Sequence, residues 1–265
     1  MRSRRPDRLA ALLASVFVAA VSPAAAGSVD PLDALVAAYP DFLAGHEGGE
    51  LLWKDGTRTP VSDGIETKTF EERLNNPDID DLFAQPYAPG PPSGPPAEDW
   101  DPGRFVNTEF FTRMYGDCRS NEVQAHLKPV RWVDGTRLMA TDVNGVAGRL
   151  QQVADELREL PREFRKYLVP SAGTYNCRNV AGSDRLSLHS LGTAIDISTA
   201  HSDYWLWDER ARGTFAYRNR IPFEIVAIFE KYGFIWGGKW YHYDTMHFSY
   251  RPEQFLAAGA RPEGF

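Results

Sequence analysis

The chain is poor in several things at once. Among 265 residues there are two cysteines and four methionines, and no Cys-x-x-Cys pair, which leaves no basis for a thiolate metal cluster or a dithiol redox centre. The longest predominantly apolar stretch, Leu9 to Val21, has thirteen residues, short of the roughly 20 needed to span a bilayer. Beyond the first eight residues there is no basic run, and 29 Lys and Arg against 36 Asp and Glu give a net charge of −7. The electrostatic footprint of nucleic-acid binding is therefore missing. No internal repeat is visible, so solenoids drop out as well. What is present, 43% apolar and 25% charged residues, is the composition of a globular protein with one domain of some 200 residues or two small ones.

The basic start has the order of a secretory signal peptide. Arg2, Arg4, Arg5 and Arg8 precede Leu9 to Val21, and Ala24-Ala25-Ala26 supplies the small residues of a cleavage site. Residues 1–26 are thus expected to be a signal peptide and the protein to be exported, periplasmic and without a membrane span after cleavage. Removing them leaves 239 residues at −10. In an oxidising compartment Cys118 and Cys177 can form one bridge, closing a loop worth roughly 4 kcal/mol of unfolded-chain entropy.

Residues 27–85 form a mixed N-terminal segment in which Leu51 to Thr59 reads as a hairpin, with Asp55-Gly56 supplying the positive backbone angles of a tight primed turn. Residues 86–102 hold seven prolines in seventeen residues, which excludes helix and central strand and leaves a linker or a surface strap. Residues 103–265 are more regular. Asn144 is placed to cap a helix with apolar residues at Val146, Leu150, Val153, Leu157 and Leu160. A second helix is expected over Glu224 to Tyr232, with Pro222 at its first position and Gly233 ending it. Short β-type runs occur at Thr193 to Ser198, Phe234 to Trp236 and Met246 to Tyr250. The expected class is α+β, a small antiparallel sheet with helices on one side.

Two clusters carry chemistry. In the first, Ser187 to Asp196, His189 sits in a polar loop and Asp196 inside an apolar strand, where a carboxylate is costly unless paired or metal-bound. Alternation puts Ala194, Asp196 and Ser198 on one strand face. In the second, Trp236 to Phe248, His247 lies in another apolar strand three residues after Asp244. Two histidines and one aspartate offer three neutral or anionic donors, and catalytic zinc uses three such ligands with a fourth position open. Asp244 is left as a candidate base. His46, His126 and His201 have no partner ligands near them in sequence and read as ordinary polar residues, whereas His242 reads as a substrate contact, a donor supporting the ligands, or a strand residue facing solvent.

The first cluster, Ser187-x-His189-x-x-Gly192-x-Ala194-x-Asp196, matches at every fixed position the motif of the D-alanyl-D-alanine carboxypeptidase family of zinc peptidases. Asp244-Thr245-Met246-His247 is similar to the family's downstream element, and Trp236 to Trp240 resembles a stretch of the phage L-alanyl-D-glutamate endopeptidases. The resemblance covers roughly residues 115–252. It implies zinc (Zn2+) held by His189, Asp196 and His247, Asp244 as general base, and a catalytic arginine, best matched by Arg178 with Arg185 second. Ser187, Trp236 and His242 are the implied supporting or substrate-contacting residues. The implied reaction is hydrolysis of a peptide bond in peptidoglycan stem peptides, of the D-Ala-D-Ala carboxypeptidase type. The alternatives are an L-Ala-D-Glu endopeptidase, or a non-catalytic wall-binding protein on the zinc scaffold shared with the hedgehog signalling domain.

Overall fold

A computed structural model describes residues 29–181 and 183–265; the expected signal peptide, residues 1–26, lies outside the described residues. The chain opens with α1 (Pro31–Ala38), whose start is set by Pro31 and by the Asp30 carboxylate accepting from the Leu32 amide at 2.7 Å. A three-stranded antiparallel sheet follows, β1 (Leu43–Glu47), β2 (Glu50–Trp53) and β3 (Arg58–Pro60). The β2–β3 turn takes four residues, Lys54 to Thr57, rather than two. Gly56 has positive φ and Asp55 does not, because the Asp55 carboxylate accepts from the Thr57 amide at 2.9 Å and from Arg113 at 2.8 Å. Next comes α2 (Phe70–Asn75), started by a Thr69/Glu72 capping box.

The second half begins with α3 (Thr108–Tyr115) and α4 (Glu122–Ala125), followed by the hairpin β4 (Leu127–Arg131) and β5 (Arg137–Thr141). Then α5 (Val146–Glu159) buries Val146, Leu150, Val153 and Leu157, as its spacing predicts. Asn144 does not cap it. Its backbone is left-handed at φ 53°, and its side-chain amide donates instead to the Ala38 carbonyl at 3.2 Å, tying this corner to the end of α1. After α6 (Arg165–Leu168) come β6 (Ala194–Asp196), α7 (Trp205–Arg212), α8 (Phe223–Lys231), β7 (Phe234–Trp236), β8 (His247–Tyr250) and α9 (Pro252–Ala257). Pro222 stands just before α8 with extended backbone rather than inside it.

The architecture is α+β. The third sheet, in order β6-β8-β7 and antiparallel throughout, is the one that positions the site. Its register pairs Asp196 with His247 and Ile195 with Phe248, so the polar pair shares one face and the apolar pair the other. On the apolar face α8 is docked, with Phe229 stacked on Phe248 at 3.8 Å between ring centroids. The opposite face is not bare: Ile235 packs there against Tyr87, Trp240 and Phe255, so α9 and the proline-rich segment cover part of it. One continuous apolar core joins Leu35, Leu51 and Phe110 from the N-terminal half to Leu150, Val226 and Phe248. No helix among the described residues is long and apolar enough to cross a membrane.

Candidate metal and catalytic site

His189 is presented by a single turn of 3₁₀ helix, Leu188–Leu191, immediately ahead of β6. The Ser187 hydroxyl starts the turn by accepting from the His189 amide at 3.3 Å. Gly192 ends it at φ 69°, where a Cβ would stand 2.9 Å from the Thr141 nitrogen, so both the angle and the space require glycine. His189 Nδ1 lies 2.6 Å from the Thr174 carbonyl oxygen. A carbonyl only accepts, so Nδ1 carries the hydrogen and Nε2 keeps its lone pair.

That Nε2 faces two more donors. It is 3.2 Å from Asp196 Oδ1 and 3.3 Å from His247 Nδ1, while His247 Nδ1 is 3.0 Å from the same Asp196 oxygen. Bonds of 2.0–2.1 Å at tetrahedral angles put zinc ligands about 3.3 Å apart, so the three atoms already stand on one face of such a tetrahedron. The chemistry fits too, since two imidazoles and one carboxylate are borderline donors that suit zinc. The other His/Asp group of comparable compactness among the described residues, Asp30, Asp33 and His46, is largely exposed, and its Asp30 is engaged as a helix cap. Burial alone lowers the His189 pKa, but Asp196 outweighs it and holds the ring above its usual value; burial holds His247 below.

Asp244 is brought beside this group by a tight chain reversal. Its amide donates to the Gly237 carbonyl at 3.0 Å, and its own carbonyl accepts from the His247 amide at 3.1 Å. A Cβ on Gly237 would lie 2.6 Å from the Asp244 carbonyl, and one on Gly238 would lie 2.1 Å from the Trp236 ring. The paired glycines therefore let the loop close. Asp244 Oδ1 is enclosed with no hydrogen-bond partner among the described residues. Burial and the Asp196 charge push the carboxyl up to about 8, against the pull of His189, Arg104 and Arg178, which places its proton exchange near neutral pH.

These side chains line a cleft of about 470 Å³ together with Arg178, Arg185, Ser187 and His242. The Arg178 backbone is clamped by Ser190, whose hydroxyl accepts from the Arg178 amide at 2.8 Å, and its neighbour Cys177 is bridged to Cys118. His242 Nδ1 is 2.8 Å from a carboxylate oxygen of the fully buried Asp101. Trp236 is not at the site: it shares a sheet face with Phe248, is 1% exposed and donates from Nε1 to the Thr245 carbonyl. Trp240 lines the cleft in its place, 5.7 Å from the His247 ring. Sheet parity turns Trp236 away from His247, since Trp236 pairs with Phe248 and Phe248 alternates with His247. Three further lining residues, Arg104, Tyr204 and Trp207, lie outside both motifs and carry no sequence signal of a role.

No solved structure matches the chain. Over 59 residues, 22% of its length, it is 39% identical to a Caenorhabditis elegans protein described as "A disintegrin and metalloproteinase with thrombospondin motifs gon-1", of which it covers 3%. The family match falls on the site itself: residues 181–250, which hold His189, Asp196, Asp244 and His247, fit the model of the D-alanyl-D-alanine carboxypeptidase family.

Proposed function

We propose that the protein is a zinc-dependent peptidase that hydrolyses a peptide bond in peptidoglycan stem peptides, of the D-Ala-D-Ala carboxypeptidase type, acting in the periplasm after loss of residues 1–26. The observation that carries this reading is the triangle of His189 Nε2, Asp196 Oδ1 and His247 Nδ1 beside an enclosed, unpartnered Asp244 carboxylate oxygen. When bound there, zinc supplies a Lewis acid that polarises the scissile carbonyl, lowers the pKa of water from about 15.7 toward 7 and draws the Asp244 pKa down.

Asp244 takes the proton that the attacking water loses and delivers it to the departing amine, so one carboxylate serves as base and then as acid. Arg178, whose charge reaches Asp244, His189 and His247, stabilises the negative charge that develops on the carbonyl oxygen. Ser187 and the Thr174 carbonyl hold His189 in the tautomer and orientation that ligation needs. His242, buttressed by Asp101, forms part of the wall facing the substrate. Residues 86–102 act as a strap that completes this domain, because Tyr87, Asp101 and Pro102 are buried in it.

The L-Ala-D-Glu endopeptidase reading is favoured by one feature. Thr199 and Trp207 line the cleft and also a second groove bordered by Arg218 and Arg220, which gives room for chain on both sides of a scissile bond. Digestion of purified peptidoglycan followed by mass spectrometry tests both readings: loss of one alanine marks the carboxypeptidase, release of a fragment beginning at D-Glu marks the endopeptidase, and unchanged muropeptides with zinc bound leave only the wall-binding protein.

A further inference from the structure

The chemistry above uses Asp244, Arg178 and the three donors, and leaves two cations in the same cleft without a task. Arg104 stands two residues beyond the strap, which positions it, and far in sequence from residues 181–250. Its backbone is fixed because Gly103, at φ 74°, has no room for a Cβ within 2.7 Å of the Ile235 side chain, and because the buried Arg251 donates to the Gly103 carbonyl at 2.6 Å. Its guanidinium pairs with Asp101 and stands 5.6 Å from the centre of the Trp240 ring. Asp101 only partly neutralises it, since the same carboxylate also accepts from the His242 amide at 3.0 Å and meets its ring nitrogen at 2.8 Å.

Arg185 is the second. It is half-buried, its Nε is enclosed without a hydrogen-bond partner, and among the described residues no carboxylate lies within ion-pair distance of it. Burial and the nearby Arg104 push its pKa down to about 10. Two guanidiniums held near each other in a cleft, in a chain whose net charge is −7, repel each other and lose hydration unless an anion joins them. Arginine's flat fork suits a carboxylate.

We propose that Arg104 and Arg185 form a second anion subsite that grips a carboxylate of the substrate peptide away from the scissile carbonyl, so that the substrate is an acidic peptide and the strap contributes to its selection. This rests on the peptidase reading for what enters the cleft, but not for the grip itself. The carboxylate can come from the peptide's C-terminus or from an internal acidic residue, and the two sources are separable.

The test is calorimetric binding to the zinc-loaded full chain carrying Asp244→Ala, so that nothing is cut. The probes are the synthetic pentapeptide L-Ala-γ-D-Glu-L-Lys-D-Ala-D-Ala, the same peptide amidated at the glutamate carboxylate, and the same peptide amidated at its C-terminus. Arg104→Gln and Arg185→Gln are each expected to weaken the free acid about tenfold to a hundredfold. Arg104→Lys should recover part of the loss. Against one of the two amidated peptides the same substitutions should have no effect, and that peptide identifies the carboxylate gripped. Equal weakening toward all three peptides, with or without a lower Tm, makes the arginines structural and overturns the proposal, as does unchanged affinity in both variants. Turnover by the wild-type chain is read in parallel: arginine-dependent binding without cleavage retains the subsite and removes the peptidase reading, cleavage with arginine-independent binding does the reverse, and neither binding nor cleavage removes both.

Discussion

Residues 181–250 and residues 29–104 arrive at the same cleft by opposite routes. The first stretch supplies reactive groups at fixed spacing: a one-turn helix for His189, a strand for Asp196, a reversal for Asp244 and a paired strand for His247. The second supplies almost no reactive groups but anchors at several points. Tyr39 donates to Glu253 at 2.7 Å, and Tyr87 donates to Glu230 at 2.5 Å. Lys239 pairs with that same buried Glu230, and the Gly90 amide donates to its other oxygen at 2.8 Å. The Trp240 indole donates to the Pro102 carbonyl at 2.8 Å, and the Tyr241 amide to the Trp100 carbonyl at 2.9 Å. The comparison teaches that motif and scaffold are separable in sequence but not in space: the loop from Trp236 to Asp244 is held on one side by strand pairing and on the other by the strap.

The largest effect is expected from the motif side. Asp244→Ala should cut turnover by about 10²–10⁴-fold while zinc content stays at the wild-type level, checked by steady-state kinetics and metal analysis. A wild-type-like rate removes Asp244 from the mechanism.

The strap side should break through its anchor. Lys239→Met leaves Glu230 buried without its cation and should cost about 3–5 kcal/mol in urea unfolding, with faster proteolysis between Ala88 and Trp100. Pairing it with Glu230→Gln should recover much of the loss, and an unaffected strap in the single variant would show that other contacts suffice.

Replacing Cys118 and Cys177 by serine should lower stability by roughly 2–4 kcal/mol. Because Cys177 adjoins Arg178, and Arg119 next to Cys118 donates to Asn179 at 2.9 Å, turnover should fall as well. Unchanged turnover would uncouple the bridge from Arg178.

The smallest effect is a pH dependence at the junction of the two regions. Burial pushes the Asp101 carboxyl up, but its hydrogen bond with His242 and the charge of Arg104 hold it below the usual carboxylate range. A depressed folded-state pKa contributes stability that is present above about pH 4 and is lost as pH falls below it. Asp101→Asn should therefore be destabilised by about 1–3 kcal/mol at pH 7, with the gap to wild type closing at low pH in parallel thermal melts. A gap independent of pH would mean that the Asp101 charge contributes nothing.

How far each region was legible follows from the same contrast. A ligand set demands particular side chains at particular spacings, so His189, Asp196, Asp244 and His247 stand out in a single sequence, and the alternation that puts Asp196 on one face of its strand is a short-range property, although its pairing with His247 is not. The apolar period of α5 was legible for the same reason. Most of what failed depended on distant partners. Asn144 has a cap's composition, but the Ala38 carbonyl claims its side chain. Asp55-Gly56 suggests a two-residue turn, but Thr57 and Arg113 bind the aspartate. Trp236 is implied at the site by the resemblance of Trp236 to Trp240 to the endopeptidases, and the register of β7 on β8 turns it inward. Arg104 had no signal at all, since its role is set by where the strap docks.

The central claim is that His189, Asp196 and His247 together hold one zinc ion beside Asp244. Zinc titration of the metal-free chain and of the four single alanine variants tests it most directly. The account predicts stoichiometric zinc binding by wild type and by Asp244→Ala, with affinity falling by orders of magnitude in each of the three ligand variants and weakening in wild type as pH drops below about 6, where protons compete for the histidines. Equal zinc affinity across all five proteins, or none in wild type, would contradict it.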